Sequence, residues 1–351
     1  MAEGARSVLG ERVAISLAVG GPQERGDDVE VPLGDVGRLP PQIGETEIDV
    51  ELEKVDPRRV LGHAEKVETA SDGMGAIKFG PARMPSRESP EAAIDALVTR
   101  GLSACEIDFE GKFWMDYAFA ERLGAVARKA GVALSVHAPL AGFMGHAERG
   151  KKLNMAIGML DHSAGIAAAC GAELVVFHPG FLLGRTREEA LASVVEQLGE
   201  LRVRLEEKGR AVPFGVEVMG RVREIGSLED VVFISSQLGW VRPVLDFAHM
   251  HATSDGAFVG VDPFAAALEA VDGVLERGAP FHIHFSDIAY ANRNETKHLP
   301  YGEGTLRAEP LRDALARFER SATVISESPD VESTQAIGAV LLGESSASRT
   351  S

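Results

Sequence analysis

Cysteine is scarce: the 351-residue chain has two, Cys105 and Cys170. That excludes a disulfide framework and a Cys-rich structural zinc module, and it fits a reducing, cytoplasmic setting. Any metal held by this chain must therefore be held by His, Asp and Glu. No apolar run approaches the ~18 residues of a membrane span. The opening stretch, MAEGARSVLGERVAISLAVGG, carries Glu3 and Glu11 and lacks a clean apolar core, so it makes a poor secretory signal. Positive charge is in short supply too. Against 53 acidic residues stand 36 basic ones, a formal net charge of −17, which by itself argues against a general nucleic-acid binder. Of those 36, 27 are Arg and 9 are Lys. An acidic, arginine-rich surface is also what a salt-adapted or GC-rich source produces, so net charge weighs against DNA without excluding it.

What is present is ordinary for a folded soluble protein: 45% hydrophobic and 25% charged residues, which excludes wholesale disorder. Residues 1–73 differ from the rest. They hold 16 acidic and 8 basic residues, with turn signals at Gly20-Gly21-Pro22 and Pro40-Pro41 and two weak strand-like runs, 13–19 and 47–52. This segment reads as an acidic N-terminal extension, loosely ordered, with a partner-binding module as the alternative. Residues 74–345 read as the catalytic body and 346–351 as a short tail.

From residue 76 a rhythm begins. Aliphatic runs at 76–80, 104–110, 133–139, 174–180, 213–220, 241–250, 281–287 and 323–329 are predicted strands. Between and after them, 90–100, 115–130, 147–170, 186–208, 228–238, 263–277, 309–320 and 331–342 carry apolar residues at helical spacing. Eight strand-then-helix units predict an α/β fold, a (β/α)8 TIM barrel with an N-terminal extension. The strands look apolar on both faces, as buried parallel strands should. A doubly wound sheet would need a glycine-rich phosphate turn after the first strand, and Gly80-Pro81-Ala82-Arg83 is not one.

Ten histidines occur, and seven of them fall at predicted strand ends or in the loops just after: His137, His178, His249, His251, His282, His284 and His298. Glu217, Asp246 and Glu327 follow the same pattern. In a barrel those ends converge on one rim. A single strand-end histidine is usually a packing residue, but a rim of imidazoles and carboxylates is costly unless cations neutralise it. Imidazole with carboxylate and no thiolate suits Zn²⁺, Mn²⁺ or Fe²⁺. Of the other histidines, His282 is expected below His284 inside the barrel, His251 at a rim phosphate, and His146 and His162 on the surface of the third helix. His63 lies in the extension and has no assigned role.

These residues stand in ordered motifs: Ser135-Val136-His137-Ala138-Pro139, Val176-Phe177-His178-Pro179-Gly180, Val216-Glu217-Val218-Met219-Gly220, Asp246-Phe247-Ala248-His249, His284-Phe285-Ser286-Asp287, Lys297-His298 followed by Gly302-Glu303-Gly304, and Ser326-Glu327-Ser328-Pro329. In this series residues 76–340 resemble the endonuclease IV family of apurinic/apyrimidinic endonucleases, xylose-isomerase-like TIM barrels, and most of all its archaeal-type branch. The resemblance implies two or three zinc-type ions. His137, His178 and Glu217 would hold the first, and Glu217 would bridge to a second completed by Asp246, His284 and Glu327. His249 and His298 would hold a third. Glu217, His137 and Glu327 would then carry catalysis, a phosphodiester hydrolysis 5′ to abasic sites in DNA repair by a cytoplasmic monomer. Its partner would be DNA with abasic or 3′-blocked lesions.

Two departures from the family pattern stand out. The family places Asp two residues before the histidine of the third site, where this chain has Thr296-Lys297-His298, so that Glu295 becomes the candidate ligand. Many members read His-Ala-Pro-Tyr where this chain has Leu140, which can wedge but not stack at a flipped-out nucleotide. Arg83, Arg87, Arg221, Arg223 and Arg293 lie in predicted rim loops and, with Leu140, are candidate DNA contacts. The alternative is a sugar isomerase or epimerase of the same barrel superfamily, whose one or two metals are held mostly by Glu and Asp. A metal-binding barrel without catalysis is a third reading.

Overall fold

A computed structural model describes residues 75–343. The extension 1–73, its two strand-like runs, His63 and the tail 346–351 lie outside the described residues. Among the described residues, eight strands form one all-parallel sheet. They are β1 (Ile77–Pro81), β2 (Ala104–Asp108), β3 (Ala133–His137), β4 (Val175–Phe177), β5 (Phe214–Glu217), β6 (Val241–Asp246), β7 (Phe281–Phe285) and β10 (Ala322–Ser326), in the order β1-β10-β7-β6-β5-β4-β3-β2. The two ends of that order meet. Ser103 donates its N–H to the Phe79 carbonyl at 2.9 Å, and its hydroxyl accepts from the Phe79 N–H at 3.1 Å. Gly80 permits this approach, because a Cβ there would fall 1.6 Å from the Ala104 carbonyl oxygen. The result is the eight-stranded TIM barrel that the strand–helix rhythm predicts.

The outer layer is α1 (Pro90–Val98), α2 (Tyr117–Ala130), α3 (Lys151–Cys170), α4 (Arg187–Glu207), α5 (Leu228–Gln237), α7 (Val261–Asp272), α8 (Ala308–Leu315) and α9 (Val331–Leu341). Their starts are written locally. Ser89 caps α1 ahead of Pro90, Asp116 caps α2, and Thr186 with Glu189 closes a capping box on α4. The strands obey a period of two. Val136, Phe177, Val216, Phe285 and their like face outward into the large core under the helices. Small separate clusters, Ala104–Ala133–Ile325 and Leu174–Val176–Val244, plug the barrel interior. Toward the mouth the inward positions turn polar, with Glu106, Ser135 and His282 in one layer and His137, Glu217, Asp246 and His284 in the next. The expected apolar character on both faces therefore holds outside the barrel and in its lower interior and fails toward the mouth.

Two departures shape the site. The run 241–250 is a strand only as far as Asp246. That carboxylate accepts the His249 N–H at 2.8 Å and caps a short helix, α6 (Phe247–Thr253), so His249 and His251 sit on a helix. The second departure is a hairpin after β7, formed by β8 (Asp287–Ala291) and β9 (Asn294–Leu299). Asn292 and Arg293 turn it with φ of 52° and 60°, the left-handed pair of a type I′ turn. Arg in the second position hides that turn from sequence, where Asn-Gly would have announced it.

Candidate metal centre

Six of the eight barrel strands deliver a ligand-type residue at the same level, because each lies two residues beyond an inward-facing neighbour. His137 ends β3, His178 follows β4, Glu217 ends β5, Asp246 ends β6, His284 lies on β7 and Glu327 follows β10. The Glu217 carboxylate sits at the middle. Its Oε2 is 3.2 Å from His137 Nε2 and 3.1 Å from His178 Nε2, while its Oε1 is 3.0 Å from His284 Nδ1. His284 Nδ1 also lies 3.3 Å from Glu327 Oε1. Ligands at bond lengths of 2.0–2.1 Å around a tetrahedral zinc are separated by about 3.3 Å, so these spacings match edges of a coordination shell.

The third group is assembled from α6 and the hairpin. His249 Nε2 is 2.8 Å from Glu295 Oε2, and His249, Glu295 and His298 can all reach one ion. On a regular strand Glu295 and His298, three apart, would face opposite ways. The register shift opposite Ala289 and Tyr290 inserts Thr296 as an extra residue and restores a common face. Thr296 itself turns away, its hydroxyl donating to the Ala289 carbonyl at 2.9 Å. Gly220 makes room, since a Cβ there would lie 2.5 Å from Glu295 Oε2, and its carbonyl accepts the Glu295 N–H at 2.8 Å.

Neighbouring acceptors leave the right imidazole nitrogens free. Nδ1 of His137 faces the Ala138 carbonyl at 2.9 Å, Nδ1 of His249 faces the Val218 carbonyl at 2.8 Å, and Nδ1 of His298 faces the Ser286 hydroxyl at 2.6 Å. Each then presents Nε2 to the centre. The charge pattern calls for cations. Asp246 is fully buried and its Oδ2 has no hydrogen-bond partner. Burial, and then the nearby Glu327 and Glu217 carboxylates, push its carboxyl well above the usual range against the pull of His249. Burial raises Glu217 too, but the rings of His284, His178 and His137 hold it well below that range. Burial disfavours a charged His137 ring, yet the Glu217 carboxylate outweighs it and raises the ring to about 10. The three clusters His137–His178–Glu217, Glu217–Asp246–His284–Glu327 and His249–Glu295–His298 fit divalent ions of the zinc type.

The remaining expectations divide. His282 is buried under His284 as expected. His251 is fully buried, bonded to the Thr305 hydroxyl at 2.8 Å, and so cannot meet a phosphate at the rim. His146 is not on a helix surface either: it is 8% exposed, in the loop before α3, and stacks on Phe143. His162 on α3 packs edge-on against Phe113 and Tyr117. Of the rim arginines, Arg83 is 68% exposed beside Asp108, whereas Arg221 is engaged by Glu295 at 3.4 Å and Arg293 donates to the Thr253 carbonyl at 2.7 Å. Arg87 lies over the Trp114 ring. Leu140 stands 46% exposed beyond the β3 end.

Sequence reasoning missed two carboxylates, Glu106 and Glu110, and gave Asp287 no role beyond its motif. Glu106 is buried inside the barrel beneath the centre, signalled only by being an acid within an apolar strand. Glu110 lines a cavity of about 270 Å³ beside Glu327, His298 and Arg83, and burial raises its carboxyl. Asp287 accepts from the N–H groups of Gly302, Gly304 and Leu306, which is why the Gly302-Glu303-Gly304 segment folds back over the hairpin.

Residues 94–342 match the family described as xylose isomerase-like TIM barrel. The chain belongs to that family. A relative from Methanocaldococcus jannaschii, an uncharacterized protein, is 30% identical over 257 residues, covering 72% of this chain and 92% of its own. Among solved structures, a D-tagatose 3-epimerase-like protein superposes with TM-score 0.61 at 19% identity, over 76% of this chain and 96% of its own. Endonuclease IV from Thermus thermophilus superposes with TM-score 0.58 at 20% identity, over 76% and 98%. The 3-keto-D-glucoside 4-epimerase of E. coli does so with 0.58 at 18%, over 77% and 99%. At such identities these likenesses speak for the fold alone. The superposed structures include both a nuclease and epimerases. No helix among the described residues is long and apolar enough to cross a membrane.

Proposed function

We propose that the protein is a metal-dependent phosphodiesterase resembling endonuclease IV, which hydrolyses DNA 5′ to abasic sites in repair. The observation that carries this reading is the pair of histidine-rich clusters flanking Glu217, His137–His178 on one side and His249–Glu295–His298 on the other. The sugar isomerase reading, with one or two metals held mostly by Glu and Asp, calls for fewer histidines than these clusters supply. Adjacent divalent ions, when bound, supply a hydroxide nucleophile at neutral pH and positive charge for phosphoryl oxygens. Glu217 would be shared by two of them, with His137 and His178 beside one oxygen and His284 beside the other. His137 and His178 present Nε2 from rigid strand ends, which fixes the approach to phosphorus. Glu327 lies between the central group and the third, 3.8 Å from His298 Nε2 through its Oε2. Arg83, exposed although paired with Asp108 at 3.5 Å, is a rim cation that would meet a phosphate, and Leu140 would wedge beside an extrahelical sugar.

A duplex with one tetrahydrofuran abasic analogue, incubated with protein and Zn²⁺ or Mn²⁺, tests this directly. Nicking 5′ to the lesion that EDTA abolishes is the expected result; intact duplex refutes it.

One observation favours the epimerase reading. The cavity at Glu327 is small, about 270 Å³, and places Glu110 and Arg83 around a space that a monosaccharide fills. Interconversion of ketohexose epimers without nicking would establish that alternative.

A further inference from the structure

Glu106 lies one layer below the candidate ligands, on the inward face of β2, and is 0% exposed. Its partners divide cleanly between its two oxygens. Oε2 accepts the Ser135 hydroxyl at 2.7 Å and faces His282 Nε2 at 3.3 Å. Oε1 lies 3.1 Å from His284 Nε2, a contact not aligned as a hydrogen bond in this structure, and both buried atoms are otherwise without a hydrogen-bond partner. The other nitrogen of the same ring, Nδ1, points to Glu217 and Glu327. His284 is thus held between a ligand cluster on one edge and a single buried carboxylate on the other. An imidazole that ligates through Nδ1 carries its proton on Nε2, and in a dry barrel interior that proton must find an acceptor. Oε1 of Glu106 is the one in reach. Ser135 and His282 occupy the second oxygen and keep the carboxylate from turning away.

We propose that Glu106 is the positioning residue of the centre: through Nε2 it orients His284 so that Nδ1 ligates the ion shared with Glu217, Asp246 and Glu327. The proposal rests on that cluster holding metal, and is indifferent to whether the reaction is phosphodiester hydrolysis or epimerisation. It also assigns a use to an acid that the ligand set leaves out. Ser135 and His282 stand two residues before His137 and His284, so the supporting layer is written with the same period as the ligands it supports.

The test uses the full-length protein, chelator-stripped and then loaded with Zn²⁺ or Co²⁺. Glu106→Leu keeps the volume and removes the acceptor, whereas Glu106→Gln keeps a neutral acceptor. Competition against a chromophoric chelator gives Zn²⁺ affinity, elemental analysis gives ions per chain, and Co²⁺ absorption reports ligand geometry. The expected result is an unchanged ion count and a 10–100-fold weakening of one class of ion in Glu106→Leu. A smaller weakening is expected in Glu106→Gln, and an altered Co²⁺ spectrum in both. If Glu106→Leu does not fold, the Gln variant's affinity and spectrum decide alone. Unchanged affinity and spectrum in a folded variant would overturn the proposal. So would loss of one whole ion with the others unaffected, because Glu106 would then be a ligand in its own right. A wild-type protein that binds no divalent ion would instead sink the metal reading itself.

Discussion

Replacing Glu217 by Gln removes one charge and almost no volume, and it strikes the point where the structure concentrates its contacts. One carboxylate oxygen serves His137 and His178 at 3.2 and 3.1 Å, and the other serves His284 at 3.0 Å. A Gln side chain must place an NH₂ where one of those oxygens stood. An NH₂ neither ligates an ion nor accepts from an imidazole. If outer-shell substitutions cost 10–100-fold in metal affinity, loss of a ligand shared by two ions costs at least that much for each. Activity should therefore fall by roughly three orders of magnitude or more, about 4 kcal/mol of transition-state stabilisation. Two assays check it: ions per chain after dialysis against a mild chelator, and single-turnover nicking of the abasic duplex. The variant should retain its circular dichroism spectrum and lose two of its ions under conditions where the wild type keeps them. Full metal content with near-normal turnover would refute the shared-carboxylate arrangement.

Other outcomes follow from the same geometry. Glu295→Ala should lower the ion count by one with little change in melting temperature, since Glu295 reaches the centre from a surface hairpin; elemental analysis of a variant that keeps every ion would remove Glu295 from the ligand set. Gly80→Ala should destabilise by at least about 3 kcal/mol, because its Cβ would fall 1.6 Å from the Ala104 carbonyl oxygen where β1 and β2 close the barrel; urea unfolding measures this, and a neutral result would mean the seam is open. With its metals chelated, the protein should lose stability at high pH. The folded pKa of His137, about 10, lies above its ordinary value of 6.5, so its contribution is complete below 6.5 and disappears as pH rises through about 10. Bound ions replace that proton and should flatten the loss, so thermal melts at pH 7 and 10.5, with and without chelator, must differ in this sense.

Much of the site was legible because barrel strands bring ligands to one rim whatever lies between them. A strand end in a (β/α)8 sequence has a known destination, which is why His137, His178, Glu217, Asp246, His284 and Glu327 group together on sequence alone. What could not be read was whatever depends on irregular backbone. Asp246 reads equally as a strand residue or a helix cap, and the difference moves His249 and His251 onto α6. The hairpin after β7 is hidden by its Asn292-Arg293 turn. The facing of Glu295 hinges on one bulged residue, Thr296.

The sequence by itself determined the repeating strand–helix architecture and the chemistry available at its mouth, because hydrophobic period and residue type are local properties. Tertiary structure alone decided which oxygens face which nitrogens. It placed Glu106 under His284 from a strand far away in the chain, buried His251 and His146, and tied Arg221 and Arg293 to neighbours. Those outcomes rest on the registry of β2 against β3 and on two turns of surface chain, and neither is encoded in any single stretch of residues.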